Sequence, residues 1–198
     1  MRKIDIFCAF LAGEGVAVLV SGIVRDYGLE IKFLNWILAI SLPLLALFGL
    51  WICYLIGKKF LFVFQAGKFL LTGVLATLID LGVFNFLGWT FGLEIALTRS
   101  IYKGISFLVA TFAKYWGNKF WAFEKMEKAK MGREITQFYI VTLIGLGINV
   151  GVFSFIVNTI GPQFGTPPKI WMTFGVIIAA FLVAVWNFLG YKFIVFKK

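Results

Sequence analysis

The residues of this chain that could do chemistry are few, and they lie inside or at the ends of long apolar runs. Asp80 interrupts FLLTGVLATLIDLGVFNF (69–86) and Asn149 interrupts FYIVTLIGLGINVGVFSF (138–155). Lys114 and Asn187 open the segments KYWGNKFWAF (114–123) and NFLGYKFIVF (187–196). Glu14 stands within a Gly-Glu-Gly triplet in the first apolar run. An ionised side chain near the bilayer centre costs at least about 2.5–3.5 kcal/mol, so each such group is expected to face a partner, water or a ligand. A lysine ammonium beside an amide binds an anion. A carboxylate accepts hydrogen bonds from hydroxyls, pairs with a cation or carries a proton.

Helix geometry gives these groups a depth. Asp80 follows Lys68 by twelve residues, about 18 Å of helix, which is near mid-membrane. Lys114 precedes Lys119 by five residues, about 7–8 Å inside the boundary. The two pairs of segments are copies of each other. Without gaps, Gly117 lies over Gly190, Lys119 over Lys192, Phe120 over Phe193 and Phe123 over Phe196. Asp80 lies over Asn149, and the Gly-Val-Phe at 82–84 over that at 151–153. Asn149 is thus expected at the depth of Asp80, and Asn187 at that of Lys114. The chain holds a duplicated two-helix hairpin, repeats about 67–123 and 137–196, with polar residues at two matching levels. Pseudo-symmetric halves of this kind can enclose a site between them, as transporters do, and hairpins that both enter and leave on one side are parallel repeats.

The elements that must carry these residues are membrane helices. The chain has 198 residues, is 61% hydrophobic and only 14% charged, and has a mean hydropathy of +0.95. A soluble domain of this size could not hide so much apolar surface. A span needs about 20 largely apolar residues. Six segments meet that length: 5–24, 34–56, 67–89, 97–118, 137–159 and 170–191. The run at 60–66 either extends the third helix or lies along the interface. The expected fold is an all-α integral membrane protein of about six transmembrane helices. Residues 1–60 form an N-terminal hairpin that does not align with the rest, and 61–198 form the duplicated four-helix part.

With the N-terminus in the cytoplasm, 13 of the 19 Lys and Arg residues fall on the inner side and 5 on the outer, with Lys114 inside a span. That bias orients both termini inwards. The net charge of +10 therefore reads as topogenic and lipid-facing, with no nucleic-acid motif beside it. Glu14 breaks the hydrophobic region that a cleaved signal peptide would need. The polar segment FEKMEKAKMGREITQ (123–137) is either a solvated connector or a dock for a cytoplasmic partner, and Glu124 with Lys128 at i,i+4 would support a short helix there.

Several chemistries lack their residues. There is no His, the commonest base and metal ligand, and Cys8 and Cys53 lie far apart inside apolar runs. No P-loop, nucleophile elbow or dinucleotide fingerprint occurs. Catalysis by this chain alone, a cofactor and a metal are not expected. Phe84, Phe86, Phe153 and Phe155 recur in the repeat but suit packing and acyl contact, and Trp36, Trp89, Trp121 and Trp171 read as an interfacial belt.

The repeated hairpin, the acidic residue in the third helix, the Asn-Phe in the last and the exits NKFWAF and YKFIVF resemble the GtrA-like family over about residues 64–198. Those are small multipass proteins linked to polyprenyl-phosphate sugars in cell-envelope polysaccharide synthesis and glycosylation. The family is typically four helices, and it usually shows Asn where this chain has Lys114; Asn187 keeps that residue in the second repeat. The resemblance implies a plasma-membrane protein that moves a lipid-linked sugar, or one that supports the glycosyltransferase making or using it.

On the first reading, Lys114 with Asn187 holds the lipid phosphate. Lys119 and Lys192 draw it to the entrance, and Asp80 with Asn149 hydrogen-bonds sugar hydroxyls or drives the site between states. The plain alternatives are that Lys114 snorkels, Lys119 and Lys192 are boundary lysines, Asp80 pairs with Lys114 or stays protonated, and the asparagines join helices. Glu14 could couple protons, as in small cation exporters, make a dimer contact through its flanking glycines, or pair with a basic residue. Three readings follow: a carrier of a polyprenyl-phosphate-linked sugar, a membrane subunit anchoring a glycosyltransferase, and a proton-coupled exporter using Glu14. A homodimer would thicken so thin a helical wall.

Overall fold

The computed structural model describes residues 1–26, 33–92, 96–126 and 131–197, and these form six long helices. They are α1 (Lys3–Asp26), α2 (Leu34–Gly57), α3 (Leu61–Phe91), α4 (Ala96–Trp116), α5 (Met131–Ser154) and α6 (Pro168–Gly190). The all-helical membrane architecture is as the sequence predicts. The run at 60–66 is resolved in favour of helix, since α3 begins at Leu61. Among the described residues, five of the helices are long and apolar enough to cross a bilayer, and α4 is the exception. Its Arg99, Lys103 and Lys114 lower its apolarity, and it lies against α3, which supplies Asp80 to Lys103.

The chain divides into two compact units, Met1–Glu124 with α1–α4 and Lys125–Lys198 with α5 and α6. In the first, α1 packs closely on α2 and α3. A Cβ on Gly13 would stand 2.4 Å from Pro43 Cα, and one on Gly15 would stand 2.1 Å from Leu78 Cδ1. The Pro43 backbone leaves no room for a Cβ at Gly13, whereas a Cβ at Gly15 would require the Leu78 side chain to move.

The duplication is visible in the packing of each unit. On α3 the buried residues include Phe69, Thr72 and Ala76, and on α5 they include Phe138, Val141 and Gly145, the same positions at an offset of 69. Each hairpin closes where a bare glycine meets the helix before it. A Cβ on Gly117 would lie 2.8 Å from Thr72 Cγ2, and one on Gly190 would lie 2.5 Å from Val141 Cγ1.

Both exits then widen into π-helix, Gly117–Ala122 and Tyr191–Val195. They are closed by equivalent bonds, Phe123 N–H to Asn118 O (2.8 Å) and Phe196 N–H to Tyr191 O (2.7 Å). π-Turns are uncommon and recur at functional positions. A third lies at Phe155–Ile160, where α5 ends. The exit motifs are repeated because this turn is repeated.

Candidate functional site

Asp80 lies within α3. Its carboxylate accepts from Lys103 Nζ (2.5 Å) and from the Ser106 hydroxyl (2.6 Å), both on α4. Lys103 and Ser106 are three residues apart, so one face of α4 presents both to α3. The pairing with Lys114 considered from the sequence does not occur. Lys103, one of the five basic residues the sequence puts on the outer side, pairs with Asp80 while remaining about half exposed (54%). A carboxylate with a cation and a hydroxyl beside it is both neutralised and still polar enough to bind hydroxyls. The signal for Ser106 and Lys103 was their i,i+3 spacing, which the sequence reading passed over.

Lys114 lies one level nearer the exit on α4. It is half-buried, and among the described residues it makes no ion pair or hydrogen bond. Its counterpart Asn187, in the second unit, is buried, and its Oδ1 has no hydrogen-bond partner. Asn187 lies against the bare backbone of Gly145, where a Cβ would come within 2.7 Å of Oδ1. Asn149 is half-buried without a hydrogen bond among the described residues. A buried amide oxygen left without a donor is costly, commonly about 1–3 kcal/mol, and such exceptions call for an explanation. Lys114 and Asn187 thus hold capacity that the fold itself does not use.

The exits differ from the sequence picture. Lys119 is fully buried over the Tyr115 ring (5.9 Å) instead of standing at the surface. Lys192 is half-buried, with Phe188 and Phe193 beside its ammonium at 5.8 and 5.5 Å. Asn118, next to Lys119 on the π-turn, has 0% exposure, and neither polar atom of its side chain is hydrogen-bonded. In the second repeat its position is held by Tyr191, which stacks on Phe138 (4.5 Å) and hydrogen-bonds Thr142 (2.7 Å). In the sequence Asn118 is marked only as the unmatched position within the repeated Gly-x-Lys-Phe.

Trp121 is also not the interfacial residue that was expected. Its indole N–H donates to the buried Asp5 carboxylate on α1 (2.7 Å). Beside it, Glu124 accepts from Arg2 (2.8 Å) and from Lys68 (2.7 Å). The start of α1 is thereby fastened to the exit of α4. In the second unit, Lys125 pairs with Glu134 (3.0 Å) and donates to Lys197 O (2.9 Å). Lys128, expected to pair with Glu124, lies outside the described residues. Trp36 and Trp89 are exposed, as belt residues would be, while Trp171 is half-buried and donates to Ile156 O (3.0 Å). Glu14 is half-buried and makes no ion pair or hydrogen bond among the described residues.

Comparison with protein families gives a match to the model described as GtrA/DPMS, transmembrane domain, over residues 68–196. The match begins at Lys68 on α3 and ends at Phe196, so it takes in both repeats and leaves α1 and α2 outside. No curated protein and no solved structure showed significant similarity to the chain.

Proposed function

Since the chain belongs to the GtrA/DPMS transmembrane-domain family, whose membrane role lies in polyprenyl-phosphate-sugar pathways, we propose that it moves a polyprenyl-phosphate-linked sugar across the membrane. The role is non-catalytic, and the membrane is the plasma membrane, with both termini in the cytoplasm. Residues 61–198 are the working domain, and residues 1–60 are an added hairpin.

The observation that carries this reading is Lys114, a lysine within a helix of a membrane domain that no group among the described residues neutralises. An ammonium so placed suits an anionic headgroup that comes and goes. Lys114 takes the lipid phosphate, and Asn187 is its counterpart by the repeat. Lys192 attracts anionic lipid at the exit, a contribution of about 1 kcal/mol for a basic residue near such a surface. Lys119, being buried, acts from within the first exit. Asp80 hydrogen-bonds the sugar hydroxyls, and Asn149 is its counterpart in the second repeat. Glu14 has no part in this mechanism.

The test is mass spectrometry of the lipids retained by gently purified protein, wild type against Lys114→Ala and Asp80→Asn. A polyprenyl phosphate or its glycosylated form, enriched over bulk phospholipid and lost in Lys114→Ala, supports the carrier. A bulk-like profile, identical in all three proteins, points instead to a membrane subunit that anchors a glycosyltransferase.

A further inference from the structure

The cluster that fastens α1 to the α4 exit has a feature that structural support does not require. Arg2 Nη2 and Lys68 Nζ converge on one and the same oxygen, Glu124 Oε1, at 2.8 and 2.7 Å. Two cations around a single terminal oxygen is the arrangement that binds a non-bridging phosphate oxygen. The two cations are held in place. Lys68 sits within α3, 1% exposed, with the Phe64 ring 4.5 Å from its ammonium. Arg2 leads into α1, and its own backbone N–H donates to Asp5 (2.6 Å).

The carboxylate is the conformationally strained member. Glu124 is 43% exposed, follows the π-turn, and lies at φ +53°, a left-handed conformation that a non-glycine residue adopts at a cost of order 1 kcal/mol or more. A buried ammonium is stabilised by an adjacent anion, and a phosphate oxygen can take the place of this carboxylate.

We infer that Arg2 and Lys68 form an anion site for a phosphate monoester or diester, occupied in this structure by the chain's own Glu124 carboxylate. The ligand displaces Glu124, which relaxes from its left-handed conformation, while Lys68 stays neutralised throughout. The Arg2 side, half-exposed, is the open side of the site. Arg2 lies outside the family match, so the site belongs to the added hairpin joined to the first residue of the family domain. The inference does not rest on transport, since a protein that never moved a lipid would bind phosphate here in the same way.

The experiment is a binding titration of the full chain in phosphatidylcholine nanodiscs with two probes, geranyl phosphate and inorganic phosphate. Glu124→Asn removes the internal competitor and tolerates the left-handed backbone. It is expected to bind geranyl phosphate at least about fivefold more tightly than wild type, and the gain is expected to vanish when Arg2→Met is added. Glu124→Gln, which keeps a hydrogen-bond acceptor for Lys68, should show the same gain and serves if the Asn variant folds poorly. A gain for geranyl phosphate alone assigns the site to lipid phosphate, and an equal gain for inorganic phosphate assigns it to a soluble anion. The gain should persist with Lys114→Ala, which separates this site from the one at Lys114. No gain for either probe, or weaker binding, overturns the proposal.

Discussion

Gly190→Ala tests the closure of the second hairpin most sharply. The added Cβ would lie 2.5 Å from Val141 Cγ1 and 3.2 Å from Cγ2, where ordinary contact begins at 3.4 Å. Val141 is β-branched and buried on α5, with one favoured rotamer, so it cannot swing aside, and the helices must part by several tenths of an ångström. Overpacking of this kind costs about 1–3 kcal/mol. Alanine also gains about 0.5–1 kcal/mol over glycine in a helix, which masks part of the effect. Gly147→Ala supplies the correction, because nothing lies within 4 Å of its Cβ position and only the propensity gain remains. The difference between the two variants is therefore expected to be about 1–3 kcal/mol. Reversible unfolding in mixed micelles, followed by tryptophan fluorescence, measures it. Val141→Ala should recover at least about 1 kcal/mol in the Gly190→Ala background, relative to its cost in the wild type. The reasoning fails if Gly190→Ala behaves like Gly147→Ala and shows no coupling to Val141.

Two further outcomes follow from the first unit. Asp80→Asn strands the Lys103 ammonium and should destabilise by about 0.5–1.5 kcal/mol, a modest value because Lys103 is exposed; Lys103→Met should recover most of it in a double-mutant cycle in the same micelles. Trp121→Phe keeps the ring but removes the indole donor to the buried Asp5 carboxylate. That should cost about 1.5–3 kcal/mol and speed proteolysis near residue 124, whereas an interfacial belt tryptophan would tolerate the change.

The sequence made the helices, their hairpin order and the duplication legible, because a repeated motif at fixed offsets needs no knowledge of packing. The pairs Gly117–Thr72 and Gly190–Val141 are the physical content of that repeat. The site was less legible. Asp80 stands out in the sequence as a charge inside an apolar run, but Lys103 counts there only among the basic residues of the outer side, because spacing along the chain does not show that it faces α3. Trp121 and Lys119 were misread for the same reason. A tryptophan or lysine near a helix end suits the interface by type; only the packing shows that Trp121 donates to Asp5 of α1 and that Lys119 is buried. The hairpin of α1 and α2 offered no repeat to align, so its fastening to the α4 exit carried no sequence signal. Glu14 remained undecided in the sequence, and its flanking glycines now have a use in packing against Pro43 and Leu78.

The central claim is movement of a polyprenyl-phosphate-linked sugar, and the direct measurement is uptake of a short-chain prenyl-phosphate hexose into liposomes holding the purified full chain. The account predicts uptake well above that of empty liposomes, lowered about tenfold or more in Lys114→Ala and in Asp80→Asn when equal amounts of folded protein are present, a loss corresponding to about 1.4 kcal/mol. Uptake at the rate of empty liposomes, the same for wild type and both variants, would contradict it.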